Sequence, residues 1–240
     1  MNLNTNLEKN TDEDFELACE LSDKSFSHSE LIEMLKDGNV PQKQYAALNL
    51  DSINNSKEGE ILVRNLTGCD GKIREAVALK INQMLTSDSF SISPYIYPFP
   101  EIFADASIDI NANICRLVID SVMILKNNSD FKEKYLKKIL LFINEAFTEM
   151  DKFIFRDKKY VINKQLFKLY WCLEGLKLFV NDIPSNRLFE ILEKTSQVKE
   201  YTIREKTAQI LALTDNTIFM PLINNLKKDE NYYVKTAMLK

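Results

Sequence analysis

Glycine and proline are scarce, with 5 Gly and 6 Pro among 240 residues. Turn-rich sandwiches and barrels, and α/β enzymes built on glycine loops, need more of both. Histidine occurs once, as His28, so neither a Ser-His-acid site nor a His-rich metal site has much to draw on. The four cysteines, Cys19, Cys69, Cys115 and Cys172, stand singly, without the C-x-x-C spacing of zinc or redox sites. A chain of this length needs no disulfide staples, and its thiols read as free in a reducing cytoplasm. No run approaches the roughly 18 consecutive apolar residues of a membrane span. Residues 1–10 are polar and lack the apolar core of a secretory signal. Positive charge is also short: 31 Lys and Arg face 35 Asp and Glu, a net −4, so no global basic field points to nucleic acid.

What is present is a composition 45% hydrophobic and 28% charged, suited to a soluble globular chain. Lysine outnumbers arginine and Asn and Ile are abundant, which reads as nucleotide bias rather than physics. Helical periodicity dominates. Residues 60–66 carry apolar side chains at spacings of three and four, 67–71 break the pattern, and Ile73, Ala76, Val77, Leu79, Ile81, Met84 and Leu85 resume it. The same module returns near the end, with Leu188, Ile191 and Leu192 before the break at 197–200 and Ile203, Ala208, Ile210 and Leu211 after it. Each module predicts two helices joined by a tight turn.

The second helices repeat one another. Ile73-Arg74-Glu75 matches Ile203-Arg204-Glu205, and Val234-Lys235 follows the latter 31 residues on. Gln42-Lys43 precedes Ile73-Arg74 by the same 31, and residues 114–118 form a weaker copy. A period between 20 and 50 residues marks helix pairs that bury their faces only against neighbours. An acid precedes each cation: Asp37 and Lys43, Asp70 and Arg74, Asp109 and Arg116, Glu200 and Arg204, Asp229 and Lys235. The acid is expected to cap the second helix and the cation to meet an acid of its own or the next repeat.

Through the apolar first helix, the Asp-bearing turn and the second helix opening Ile/Val-Arg/Lys, the chain resembles the HEAT-repeat family. The matches are residues 29–85 and 186–240, with 95–126 looser and 131–181 only a long helical hairpin. The resemblance implies an all-α, right-handed α-solenoid of about five to six repeats, its second helices lining a concave surface, and scaffolding or partner binding as its role. Residues 1–28 stand apart as an acidic segment, in which Phe15, Leu17, Ala18 and Leu21 on a helix over 12–22 are expected to cap the first repeat. Residues 86–100, with Pro94, Pro98 and Pro100, are expected to run extended as an irregular joint, and Tyr95, Tyr97 and Phe99 to plug it. The chain stops at Lys240, soon after the last second helix begins, which predicts a truncated final repeat or an onward stack.

Catalytic motifs are weak. Residues 68–72, Gly-Cys-Asp-Gly-Lys, fall short of the phosphate-loop spacing and read as an inter-helix turn. Glu101 with Asp105, and Glu145 with Glu149, sit at i, i+4 and read as solvated helix faces. The region from Lys152 to Lys177 is basic, and on its helix, placed over about 157–180, Lys164, Lys168, Trp171 and Gly175 share one stripe. That stripe reads either as a docking surface for an acidic peptide or phosphate backbone, with Lys164, Lys168 and Trp171 as contacts, or, for Trp171, as inter-repeat core. The expected function is therefore a non-catalytic cytoplasmic scaffold binding a protein or acidic peptide, with no cofactor, metal or membrane. Two other roles share the architecture. Alkylpurine DNA glycosylases are similar HEAT-like solenoids with a cationic groove holding aromatic and acidic residues, a set that the basic helix, Trp171 and Asp157 match without a second tryptophan. Some chromophore lyases also resemble HEAT-repeat chains, though no residue here marks a pigment site.

Overall fold

A computed structural model of the protein describes residues 3–153, 159–215 and 217–239, with side chains at 13–152, 161–215 and 217–239. Among the described residues the structure is all-helical, with no strand. The chain forms two compact units, Met1–Lys134 and Tyr135–Lys240. The first holds α1 (Leu3–Ser22), α2 (His28–Asp37), α3 (Val40–Asn49), α4 (Ser56–Arg64), α5 (Gly71–Ile96), α6 (Pro100–Ala106) and α7 (Ala112–Leu125). Helix α8 (Ser129–Phe153) starts in the first unit and continues in the second, which adds α9 (Lys159–Lys177), α10 (Ser185–Ser196), α11 (Tyr201–Leu211), α12 (Met220–Leu226) and α13 (Tyr232–Ala237).

Local chemistry accounts for where these helices start. Ser27 and Glu30 form a reciprocal capping box at α2, as Asn39 and Gln42 do at α3. Asn55, Asp70, Asn111 and Asn231 accept backbone N–H bonds at the starts of α4, α5, α7 and α13. Four of these caps are asparagines, so part of the Asn content has a structural use beyond nucleotide bias.

Packing follows the sequence order. In the first unit α2 lies on α3, α4 on α5 and α6 on α7, while α3 packs on α5 and α5 on α7. In the second unit α10 lies on α11, α9 on α11 and α11 on α13. Apolar stripes explain the contacts: Ile73, Ala76, Val77, Ile81, Met84 and Leu85 of α5 are buried, as are Ile203, Ala208, Ile210 and Leu211 of α11.

Two expectations need correction. Helix α1 packs on α3, but of the four residues expected to cap the first repeat only Leu21 is buried, and Phe15 is 70% exposed. The start of that expected helix, residue 12, lies outside the described side chains. The stretch 86–100 is not extended either, because α5 continues to Ile96 across a kink at Asp88 (φ −150°, ψ 74°). The Asp88 carboxylate accepts the Ser91 N–H at 3.2 Å and so restarts the helix. Pro94 sits in this second run, and Pro100 opens α6, where a missing N–H costs nothing. Burial here falls mainly to Ile92, Ser93 and Ile96, while Tyr95, Tyr97 and Phe99 are half-buried. The Tyr97 ring meets Phe131 edge-on at 6.4 Å.

The restarted helix lies hard against α4. A Cβ at Gly59 would come within 2.5 Å of the Tyr95 carbonyl oxygen and 3.2 Å of its carbonyl carbon. Backbone atoms cannot swing aside as a side-chain tip can, so Gly59→Ala is expected to destabilise the first unit by about 1–3 kcal/mol. Gly59→Ala melting with the wild-type protein would show that α4 and the 89–96 run are not in this contact.

Candidate functional site

Helix α9 carries the residues expected to form a docking stripe, and the fold sends them to different environments. Trp171 is buried, 6% exposed, with Tyr170 edge-on at 5.2 Å and Phe167 at 6.2 Å. Its indole N–H is buried and has no hydrogen-bond partner among the described residues. Lys168 donates to Glu145 of α8 at 2.8 Å and lies 4.4 Å from the centre of the Phe142 ring, an ion pair and a cation–π contact together. Gly175 lets α9 approach α8: a Cβ there would fall 2.7 Å from the Tyr135 hydroxyl. Lys164 alone of the stripe is exposed. Lys164, Lys168 and Trp171 therefore present no shared open face, and Gly175 serves internal packing rather than a partner's approach.

Three cations of this region, Lys152, Lys168 and Lys177, have acidic partners among the described residues. Lys152 pairs with Glu149 at 2.6 Å and Lys177 with Glu174 at 2.7 Å. Glu174 also accepts from Lys206 of α11, whose ammonium stands 4.8 Å from the Tyr170 ring centre. Burial works against the Glu174 charge, yet hydrogen bonds from Lys177 and Lys206 hold its carboxyl below the usual range. Burial likewise works against the Lys206 ammonium, and the Glu174 hydrogen bond keeps it raised. Arg156, Asp157 and Lys158 lie outside the described residues, as does the Lys159 side chain.

The acid-and-cation column resolves into a clamp used in both units. Arg74 donates from Nε and Nη2 to the Asp109 carboxylate at 2.6 and 3.2 Å, and from Nη1 to the Gly68 and Cys69 carbonyls. Arg204 does the same with Asp229, at 2.7 and 3.1 Å, and with the Val198 and Lys199 carbonyls. Each arginine thus ties its own inter-helix turn to the next one. Asp109 and Asp229 each also accept an N–H, from Asn111 and Asn231, at 2.8 Å. Capping was expected of all five acids. Asp70 alone takes that role: Asp37 pairs with Lys36, Glu200 makes no side-chain cap, and asparagines cap the helices after Asp109 and Asp229.

The remaining candidates have structural partners. Residues 68–70 form the turn held by Arg74, and Gly71 and Lys72 open α5. His28 is half-buried beside the α2 cap, with Nε2 2.9 Å from Glu58 and 3.0 Å from the Asn54 amide. Burial, with the Asp109 charge nearby, pushes the Cys115 thiol up to about 12, so it is no nucleophile. Among the described residues no group of three His, Cys, Asp or Glu could hold a metal ion, and no helix is long and apolar enough to cross a membrane.

Two surfaces went unnoticed in the sequence. Tyr201 stacks on Tyr233 at 6.2 Å, with Tyr232 edge-on to Tyr233, and all three are exposed. A cleft also opens between α8 and α10, lined in part by Arg187, Glu190 and Lys194. Residues 200–235 hold the tyrosines at equivalent places in successive second helices, a signal the repeat alignment could have offered; the cleft has no such signature.

No family model and no curated protein matches the chain. One solved structure similar to it is the crystal structure of an engineered protein from the Northeast Structural Genomics Consortium. It is 11% identical, covers 90% of this chain and 94% of its own, and superposes with a TM-score of 0.47. That likeness is too distant to bear on function.

Proposed function

We propose that the protein is a non-catalytic scaffold of HEAT-like helix pairs that binds a protein or peptide partner, as an α-solenoid does. The observation that carries this reading is the ordered packing of second helix on second helix, α3–α5–α7 in one unit and α9–α11–α13 in the other, joined turn to turn by the Arg74 and Arg204 clamps. Elements stacked in sequence order leave continuous faces for a partner. Support also comes from Asp70, which caps α5, from Arg74, Asp109, Arg204 and Asp229, which form clamps, and from Glu145, Lys168, Glu174 and Lys206, which form ion pairs. The step from architecture to role is an analogy between folds. The pairing of Lys152, Lys168 and Lys177 with Glu149, Glu145 and Glu174 weighs against a phosphate-backbone groove at those three lysines.

Affinity capture from the source cell's extract, with and without nuclease, followed by hydrogen exchange on the captured complex, tests the reading. A protein partner that survives nuclease and protects exposed faces of the odd-numbered helices is the expected result. Partners released by nuclease would transfer the function to nucleic acid and overturn the scaffold.

A further inference from the structure

The cleft between α8 and α10 has a volume of about 110 Å³. Its floor is apolar, with Leu140, Ile143 and Ile191 buried. Arg187, Ile191 and Lys194 fall at i, i+4 and i+7 of α10, hence on one stripe, and the two cations stand roughly 10 Å apart along the helix axis. Neither the Arg187 guanidinium nor the Lys194 ammonium has an ion-pair or hydrogen-bond partner among the described residues. The neighbouring groove between α8 and α9 differs in this respect, because Glu149 and Glu145 neutralise its Lys152 and Lys168. An enclosed apolar cavity of roughly 150 Å³ admits a benzene ring, so this smaller, open cleft takes at most a single small branched side chain on its apolar floor.

We propose that this cleft docks an acidic peptide segment of a partner protein. One apolar side chain of the segment seats on the Leu140–Ile143–Ile191 floor, and flanking carboxylates meet Arg187 and Lys194. The proposal rests on the scaffold reading and adds to it a surface on α8 and α10, away from Lys164. Side chains at i, i+2 and i+4 of an extended segment share one face, so acids four residues apart (roughly 13 Å) bracket a central apolar one, and the long Arg187 and Lys194 side chains span the difference. Two unpaired cations repel a basic segment and attract an acidic one. Glu190 lies between them and opposes the same ligand, so the cleft makes predictions of both signs: reversing the cations abolishes binding, and neutralising Glu190 strengthens it.

A phage-displayed random peptide library panned against the full chain, with counter-selection on the Arg187→Glu/Lys194→Glu variant, tests the assignment. Enriched sequences should carry an apolar residue bracketed by Asp or Glu. A synthetic peptide of that consensus should lose about tenfold or more in affinity on the double variant and gain severalfold on Glu190→Gln. All three side chains are exposed, so thermal melts should match wild type. Binding to the unmodified chain should weaken as salt rises, a reading that needs no variant. Failure to enrich any peptide, a basic consensus, or affinity indifferent to both the double variant and salt would overturn the proposal. If a protein partner is still captured in a nuclease-resistant way, the scaffold reading stands and only this surface is wrong.

Discussion

Replacing Arg204 by alanine should lower the stability of the second unit by about 2–4 kcal/mol, because it strips a nearly buried carboxylate of its partner. The Asp229 side chain is 9% exposed and that of Arg204 18%, so little water is at hand to replace what is lost. Four hydrogen bonds disappear: two to the Asp229 carboxylate, at 2.7 and 3.1 Å, and two to the Val198 and Lys199 carbonyls, at 2.9 and 2.7 Å. Lysine keeps the charge but cannot fork between a carboxylate and two carbonyls, so Arg204→Lys should recover only part of the loss. The protein has 1 Trp, and it lies in this unit, so urea unfolding followed by tryptophan fluorescence reads the effect directly.

The same pair makes a prediction about pH. The hydrogen bond from Arg204, opposed by burial, holds the Asp229 carboxyl below the ordinary range. A carboxyl whose folded pKa is depressed adds stability that is present above its unfolded value of about 3.9 and fades as pH falls through the folded one. Wild type should therefore lose this contribution below about pH 4, and the gap between wild type and Arg204→Ala should narrow there. A gap as wide at about pH 2 as at neutrality would mean that the clamp's charge is not what the alanine removes.

Trp171→Ala should cost about 3–5 kcal/mol, the penalty for emptying a large buried site. Trp171→Phe should cost far less. Phenylalanine keeps much of the packing against Tyr170 and Phe167 and deletes an indole N–H that is buried without an acceptor among the described residues, itself a burden of about 1–3 kcal/mol in the wild type. Far-UV circular dichroism must follow these variants, since the fluorophore is gone. Equal damage from both substitutions would show that the indole N–H has an acceptor. An undamaged Trp171→Ala would return the residue to the surface, where the docking reading had placed it.

Helix pairs were legible from one chain because helical periodicity is local. The turns at 67–71 and 197–200 separate α4 from α5 and α10 from α11 as their breaks in apolar spacing predict. The recurring Ile-Arg likewise marks equivalent places, since Arg74 and Arg204 make matching bonds. At 86–100 the prolines misled, because helix breaking depends on where the lost N–H would have pointed. Asp88 supplies a fresh cap, and Pro100 stands where no donor is needed.

Burial decided the rest. A stripe holding Lys164, Lys168, Trp171 and Gly175 is one face of a helix in any reading, but whether that face meets solvent or α8 depends on the angle at which two helices pack. Glu145, Phe142 and Tyr135 of α8 claim Lys168 and Gly175 from within. The forward reach of each arginine to the following turn, the close approach of Gly59 to Tyr95 and the cleft below Arg187 and Lys194 have the same origin. By itself the sequence determined the helix pairs on either side of the breaks at 67–71 and 197–200 and the Asp70 cap, all set by hydrogen bonds and spacings within a few residues. Only the tertiary structure decided which faces are covered, because that depends on side chains brought together from distant turns.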